Sequence, residues 1–196
     1  MNIAAIVMAS GFSRRMGRNK MLCELNGRAV VEYVLDAVIQ CGFYKNIVVT
    51  RFKEIDKFAK DRNMTVVYNE NPLAGQSMSL KLGVQNSLNA EAYVFFLADQ
   101  PFVRPSTVVE MMNIFVKKPE YIVLPRFENK TGLPVFFPAS LRAELLELSG
   151  DNGARSVIRK YPEKIISFDL NDEMDVFDID DENDLIVASN YLKIKK

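Results

Sequence analysis

Three features of this 196-residue chain predict an α/β fold with three layers and a mostly parallel central sheet. Short β-rich runs are almost continuously apolar, as strands covered on both faces are. Helical patterns lie between them, which implies βαβ units. Polar segments follow three of the runs, at the strand ends where open α/β sheets bind ligands.

In order, the strand-like runs are IAAIVM from Ile3, NIVVT from Asn46, TVVY from Thr65, AYVFFLA from Ala92, YIVLP from Tyr121 and PVFF from Pro134. The helical patterns between them carry apolar residues at three- to four-residue spacing. The first spans 29–41 and ends at Gly42, a natural residue to follow a helix. Others span 52–62, 77–88 and 106–118, with Pro105 at the first turn of the last. After Pro125 the order is less regular. Residues 126–137 read as a loop leading into a strand, 139–148 and 153–161 as helices, 164–170 and 175–179 as strands, and 181–192 as a closing helix. The expectation is one domain over 1–196. Residues 1–125 would form a first, regularly alternating part, and 126–196 a closing part inserted at the sheet edge.

Composition excludes several function classes. The 25 basic and 25 acidic residues cancel, so no bulk charge recruits nucleic acid or an acidic membrane. The absence of histidine removes Ser-His-Asp and Cys-His hydrolases. Two cysteines without histidine do not make an ordinary zinc site, and Cys23 and Cys41 read as reduced core thiols. The apolar start is followed, not preceded, by its basic residues, the reverse of a secretion signal. No apolar run is long enough to span a bilayer. A soluble cytoplasmic protein is expected.

The chemistry is concentrated in a few segments. MASGFSRRMGRNK, from Met8 to Lys20, has Gly11 and Gly17 to aim backbone amides, and Arg14, Arg15, Arg18 and Lys20 with no acid among them. Such a loop suits a polyphosphate. It is neither the common phosphate-loop pattern nor Gly-x-Gly-x-x-Gly, which argues against a dinucleotide dehydrogenase. Asp99 follows a hydrophobic strand in FFLADQP and suits Mg²⁺, which takes oxygen donors and bridges phosphates. The tail carries nine acids between Asp169 and Asp184. If VFDID is a strand, Asp178 and Asp180 share a face, and either supplies a second carboxylate. In LAGQS, Ser77 would cap a helix and Gln76 would reach a base edge or a ribose hydroxyl. Phosphoryl and nucleotidyl transfer need no histidine when the attacking group is an ionised phosphate.

These segments together resemble the nucleotidyltransferases that activate sugar phosphates and molybdopterin, which have a Rossmann-like fold. GQSMSLKLG, FFLADQPFV, GLPVFF, SGDNGARSVI and DIDDENDL follow in the order of the molybdenum cofactor cytidylyltransferases, and the likeness spans nearly the whole chain. It implies transfer of CMP from CTP to the terminal phosphate of molybdopterin, with release of pyrophosphate and with Mg²⁺ as cofactor. The triphosphate would be held along Ala9, Ser10, Gly11, Phe12, Ser13, Arg14, Arg15, Met16 and Gly17. Arg15 and Lys20 would offset charge on the leaving pyrophosphate, and Asp99 and Asp180 would hold the metal. Gln76 and Ser77 would lie near the nucleoside. Gly132, Leu133, Pro134, Asp151, Gly153, Ala154 and Arg155 would face the acceptor. Transient contact with a molybdenum hydroxylase is implied, with no nucleic acid and no membrane. The alternatives are a guanylyltransferase for the same cofactor, a sugar- or alditol-phosphate nucleotidyltransferase, or, from another class, a non-catalytic nucleotide sensor or cofactor chaperone.

Overall fold

The computed structural model describes residues 1–194. Its elements, in chain order, are β1 (Ile3–Ala9), the hairpin strands β2 (Glu24–Leu25) and β3 (Arg28–Ala29), α1 (Val30–Gln40), β4 (Lys45–Thr50), α2 (Lys53–Lys60), β5 (Thr65–Tyr68) and α3 (Gln76–Gln85). Then come β6 (Ala92–Leu97), α4 (Pro105–Lys117), β7 (Ile122–Phe127), β8 (Lys130–Thr131), β9 (Val135–Pro138), α5 (Arg142–Glu147), α6 (Arg155–Lys160), β10 (Ile165–Asp169) and α7 (Glu182–Ile194).

Eight strands form one sheet in the order β10-β7-β9-β6-β1-β4-β5, with β8 hydrogen-bonded to β7. β1 pairs in parallel with β4 and β6, β4 with β5, and β7 with β10. Only β9 and the short β8 run against the rest. The chain passes from β1 out to β5 and returns to β6 on the other side of β1. The strand order therefore reverses at β1 and β6, and a crevice opens beyond their carboxyl ends.

All seven residues of β1 are buried, which explains their unbroken apolar character. Alternate side chains feed two cores. Ile3, Ala5, Val7 and Ala9 meet Val34 and Leu35 of α1, Ile55 of α2 and Met111 and Phe115 of α4. Ala4, Ile6 and Met8 meet Leu80 and Val84 of α3, Leu145 of α5 and Val157 of α6. These two faces are the outer layers of the α/β/α sandwich. A third cluster lies at the carboxyl rim. It joins Met16 of the opening loop, Leu25 of the hairpin, Phe102, Ile179 and Ala188 of α7. Among the described residues no helix is long and apolar enough to cross a membrane.

Three expectations need correction. Residues 175–179 are not a strand. Glu173–Val176 form a 3-10 turn, and the chain then runs without sheet partners into α7. Asp178 and Asp180 therefore share no pleated face. Residues 126–131 are more than a loop, because β7 runs to Phe127 and turns back through β8. The C-terminal part does build on the sheet edge, but as strands of the sheet itself: β9 is inserted between β6 and β7. The β2–β3 hairpin was also unforeseen. Its Asn26-Gly27 turn, with φ of 50° and 82°, is a strong local hairpin signal. Helix α1 ends before Gly42, and Pro105 opens α4, both as expected.

Helix α3 lies so close to β1 that a Cβ on Gly83 would sit 2.3 Å from Cγ2 of the fully buried Ile6. Gly83→Ala is expected to destabilise the protein by about 1–3 kcal/mol, through overpacking. Urea unfolding with an unchanged m-value checks this, and an unaltered midpoint would refute the close contact.

Candidate active site

The opening loop leaves β1 at the point of strand reversal, and short polar bonds set its path. Thr50 Oγ1 donates to Ala9 O (3.0 Å), and Ser10 Oγ donates to Val49 O (3.1 Å). Ser13 adopts a φ of 50°, sparsely populated for a residue with a Cβ. It is held there because its carbonyl accepts from Met16 N (3.1 Å) and its hydroxyl from Lys20 N (3.1 Å). Met16 turns inward and is buried in the rim cluster. Asn19 accepts from Met21 N (3.1 Å) and so caps the turn Lys20–Leu22 that presents Lys20.

Lys20 is the centre of the site. Its Nζ lies 2.5 Å from Asp99 Oδ2 and 2.8 Å from Asp180 Oδ1. Asp99 follows β6 and Asp180 precedes α7, so Lys20 meets a carboxylate 160 positions along the chain as well as Asp99. The side chains of Lys20 and Asp99 are only 12% and 14% exposed, which limits screening by water. Arg15 pairs with Asp180 (2.6 Å), and Arg18 with Glu182 (2.8 Å), further out. Burial alone would lower the Lys20 pKa, but Asp99 and Asp180 outweigh it and carry it above 10.5. Burial alone would raise Asp180, but Lys20 and Arg15 outweigh it and hold it below 3.8.

The acidic tail is anchored from both sides. Ile179, fully buried, donates its N–H to Asp99 O (3.0 Å). Gln100, 2% exposed, donates from Nε2 to Asp178 Oδ1 and to Val176 O (3.4 Å). At the start of α7, Asp184 accepts from the amides of Asp180 (2.8 Å) and Asp181 (3.1 Å), and Asp181 accepts from Asp184 N (3.1 Å). This is a reciprocal cap, so these two acids are engaged by the backbone and free no carboxylate for the site. Asp178 is pushed up to about 6, first by desolvation and then by the charge of Asp99. The residue keeps more than a third of its surface open, so water tempers the shift, whose direction follows from its anionic neighbours.

The crevice has a volume of about 410 Å³. Its wall includes Met8, Ser10, Gly11, Phe12, Ser13, Arg14, Arg15, Lys20, Gln76, Asp99 and Asp180, all but Met8 expected from the sequence. Asp151 is also on the wall. Its Oδ1 accepts from Gln76 N (3.2 Å) at the start of α3. Gly75, with φ of 87°, lets loop 150–153 pack there, since a Cβ would lie 2.4 Å from Gly150 C. Ser77 does not cap α3. It is buried, and its Oγ turns back to Ala74 O (3.4 Å), because Gly75 occupies the capping position. Ala9 and Met16 are buried beneath the loop, and Gly17 lies off the wall. Gly132, Leu133 and Pro134, on the loop between β8 and β9, are also off the wall, as are Gly153, Ala154 and Arg155 around the start of α6.

Sequence reasoning missed several wall residues. Asn69, 3% exposed, follows β5 and donates to Ser79 Oγ (3.2 Å), while Pro72 and Leu73 form the outer wall. The strand-end rule applied to β5 finds Asn69. Gln100 was visible beside Asp99, but its bond to Asp178 spans 78 positions and leaves no local signal. Cys23 and Cys41 are buried and unbridged, and burial raises both thiols, Cys41 to about 11, which makes them inert core groups.

Two carboxylates face one point, and Asp99 Oδ1 is buried with no hydrogen-bond partner among the described residues. That unused acceptor fits a divalent cation whose remaining ligands are phosphate oxygens and water. Among the described residues no group of three or more His, Cys, Asp or Glu side chains is placed to hold a metal without such help.

Comparison with known proteins places this geometry in context. The family model described as the MobA-like NTP transferase domain matches residues 5–165. The chain is 26% identical to a probable molybdenum cofactor guanylyltransferase of Pyrococcus horikoshii, over 77% of this chain and 75% of that one. It is 24% identical to the purine catabolism protein PucB of Bacillus subtilis, over 94% and 95%. The structure of a Methanothermobacter nucleotidyl transferase superposes with a TM-score of 0.85 at 22% identity, covering 99% of both chains, and shares the fold.

Lys20→Met leaves the buried Asp99 without its counter-charge and Asp180 with Arg15 alone. It is expected to destabilise the protein by about 1–3 kcal/mol near pH 7. Asp180 is depressed, so its contribution is present above pH 3.8 and lost as pH falls through its lowered value. Lys20 is raised, so its contribution is present below pH 10.5 and lost as pH rises through its raised value. The gap in melting temperature should therefore be widest between these limits and close in acid. A gap that does not narrow as pH falls through the lowered Asp180 value would refute the electrostatic origin.

Proposed function

The chain belongs to the MobA-like NTP transferase family, and from that premise we propose that it transfers CMP from CTP to the terminal phosphate of a molybdopterin-type cofactor, releasing pyrophosphate. The observation that carries this reading is the meeting of a basic glycine loop, Lys20, Asp99 and Asp180 at one crevice of the α/β sheet. The choice of CTP and of the acceptor rests on the order of GQS, GDNGAR and DID along the chain. The guanylyltransferase named among the relatives is the rival for base choice.

The attacking group is a phosphate oxygen already ionised at neutral pH, so no general base is needed. It forms a bond to the α-phosphorus of the nucleotide as the bond to pyrophosphate breaks. The opening loop holds the triphosphate on its backbone amides. Arg15 and Lys20 offset the charge that builds on departing pyrophosphate. Gln76 and Ser77 would lie near the nucleoside. Asp151 to Arg155 and Gly132 to Pro134 would face the acceptor. Asp99 and Asp180 would hold a divalent cation, which when bound neutralises charge between the reacting and leaving phosphates. A molybdenum hydroxylase would take the product.

The test is pyrophosphate release with Mg²⁺, molybdopterin and each nucleoside triphosphate in turn. Release with CTP is expected, and chelation by EDTA should abolish it. Preference for GTP would move the protein to the guanylyl branch, and release only with a sugar phosphate would overturn the acceptor. Nucleotide binding without release would make it a sensor. Asp99→Asn should lower turnover by about 10²-fold or more in a chain that still folds, because Asp180 remains as a partner for Lys20. Unchanged turnover would remove Asp99 from the chemistry.

A further inference from the structure

The opening loop carries four cations, and three are held by acids from distant segments. Arg15 is held by Asp180, Arg18 by Glu182, and Lys20 by both Asp99 and Asp180. The same side chains that suit a polyphosphate are thus bound to the side chains that suit a divalent cation. We propose that these pairs form an electrostatic clasp, which disfavours polyphosphate or cation alone and admits the two together by exchange of partners. The clasp deepens the nucleotidyl-transfer reading and rests on it for the identity of both ligands.

The physical reason is charge balance in a half-buried place. A polyphosphate arriving alone draws Arg15 and Lys20 away from Asp180, and leaves Asp99 and Asp180 as unpaired neighbouring anions. A divalent cation arriving alone takes Asp99 and Asp180, and leaves the Lys20 ammonium, 12% exposed, without a partner. Either event strands a charge where water screens it poorly. When both arrive, the cation pairs with the carboxylates and the polyphosphate with the loop, so no charge is stranded. Each ligand therefore raises the affinity of the other, and the coupling is reciprocal. Departure of metal and pyrophosphate restores the original pairs.

The exchange needs only side chains to move. The backbone of the acidic segment is pinned by Ile179, fully buried and bonded to Asp99 O, and by the Asp181–Asp184 cap of α7. The opening loop is pinned by buried Met16. Arg15, 68% exposed, has room to swing from Asp180 to an incoming anion.

The test uses inorganic tripolyphosphate, by calorimetry in EDTA at low salt, so neither base choice nor acceptor enters. Asp180→Asn releases Arg15 and half of the hold on Lys20, and should bind tripolyphosphate about fivefold more tightly than the native chain. Glu182→Gln, at an exposed pair, should tighten binding by about twofold, and salt should remove that gain. Asp181→Asn removes the same charge one residue away but releases no loop cation, and should leave affinity unchanged. Arg15→Met added to Asp180→Asn should cancel most of the gain. The proposal is overturned if Asp180→Asn binds no more tightly than the native chain. It is equally overturned if Asp181→Asn tightens binding as much, which would mark a general field effect. Should Asp180→Asn fold poorly, Glu182→Gln decides: a salt-sensitive gain supports the clasp, and no gain overturns it. Tightened tripolyphosphate binding together with failed turnover on every nucleotide would count against the proposed reaction and leave the clasp standing.

Discussion

One ammonium group organises this protein. Lys20 Nζ lies between Asp99 and Asp180, and so joins the end of β6, the turn after β1 and the segment before α7. Without it Asp99 would lose its counter-charge and Asp180 would keep only Arg15, at a cost of about 1–3 kcal/mol. The rest of the site serves this meeting. Asn19 caps the turn that carries Lys20, Ile179 and Gln100 dock the acidic segment, and Asp184 reaches back to the Asp180 amide.

The fold makes that meeting possible by topology more than by local preference. β1 and β6 are neighbours in parallel register, so their following residues emerge at the same rim. The third cluster, under Met16, Phe102, Ile179 and Ala188, then brings α7 over that rim. Edge contacts of Phe102 with Tyr191 (4.8 Å between ring centres) fix the angle of approach. The acidic tail is consequently part of the site and not merely a solvated surface.

Much of this was legible along the chain. Burial on both faces makes a strand uniformly apolar, so β1, β4, β6 and β7 stood out as such runs, and the strand-end rule pointed to the opening loop and Asp99. The weaker signals were those in which one residue type serves two purposes. Acids suit a strand face, a helix cap and a metal equally well, and VFDID was misassigned as a strand for that reason. Asp181 and Asp184 turned out to be helix caps, and Ser77, a good capping residue by type, was displaced by Gly75, whose φ of 87° the close packing of loop 150–153 demands.

The sequence by itself pointed to the chemistry: no histidine, balanced charge, a basic glycine loop and a carboxylate at a strand end directed the reading toward phosphate chemistry. It also determined the α/β class, because periodicity and burial are local consequences of residue order. Only the tertiary structure decided which acids meet which cations. The pairs Lys20–Asp180, Arg15–Asp180 and Gln100–Asp178 each span more than 75 positions. Such contacts arise from strand order and from the docking of α7. Nothing in the neighbourhood of either partner encodes them.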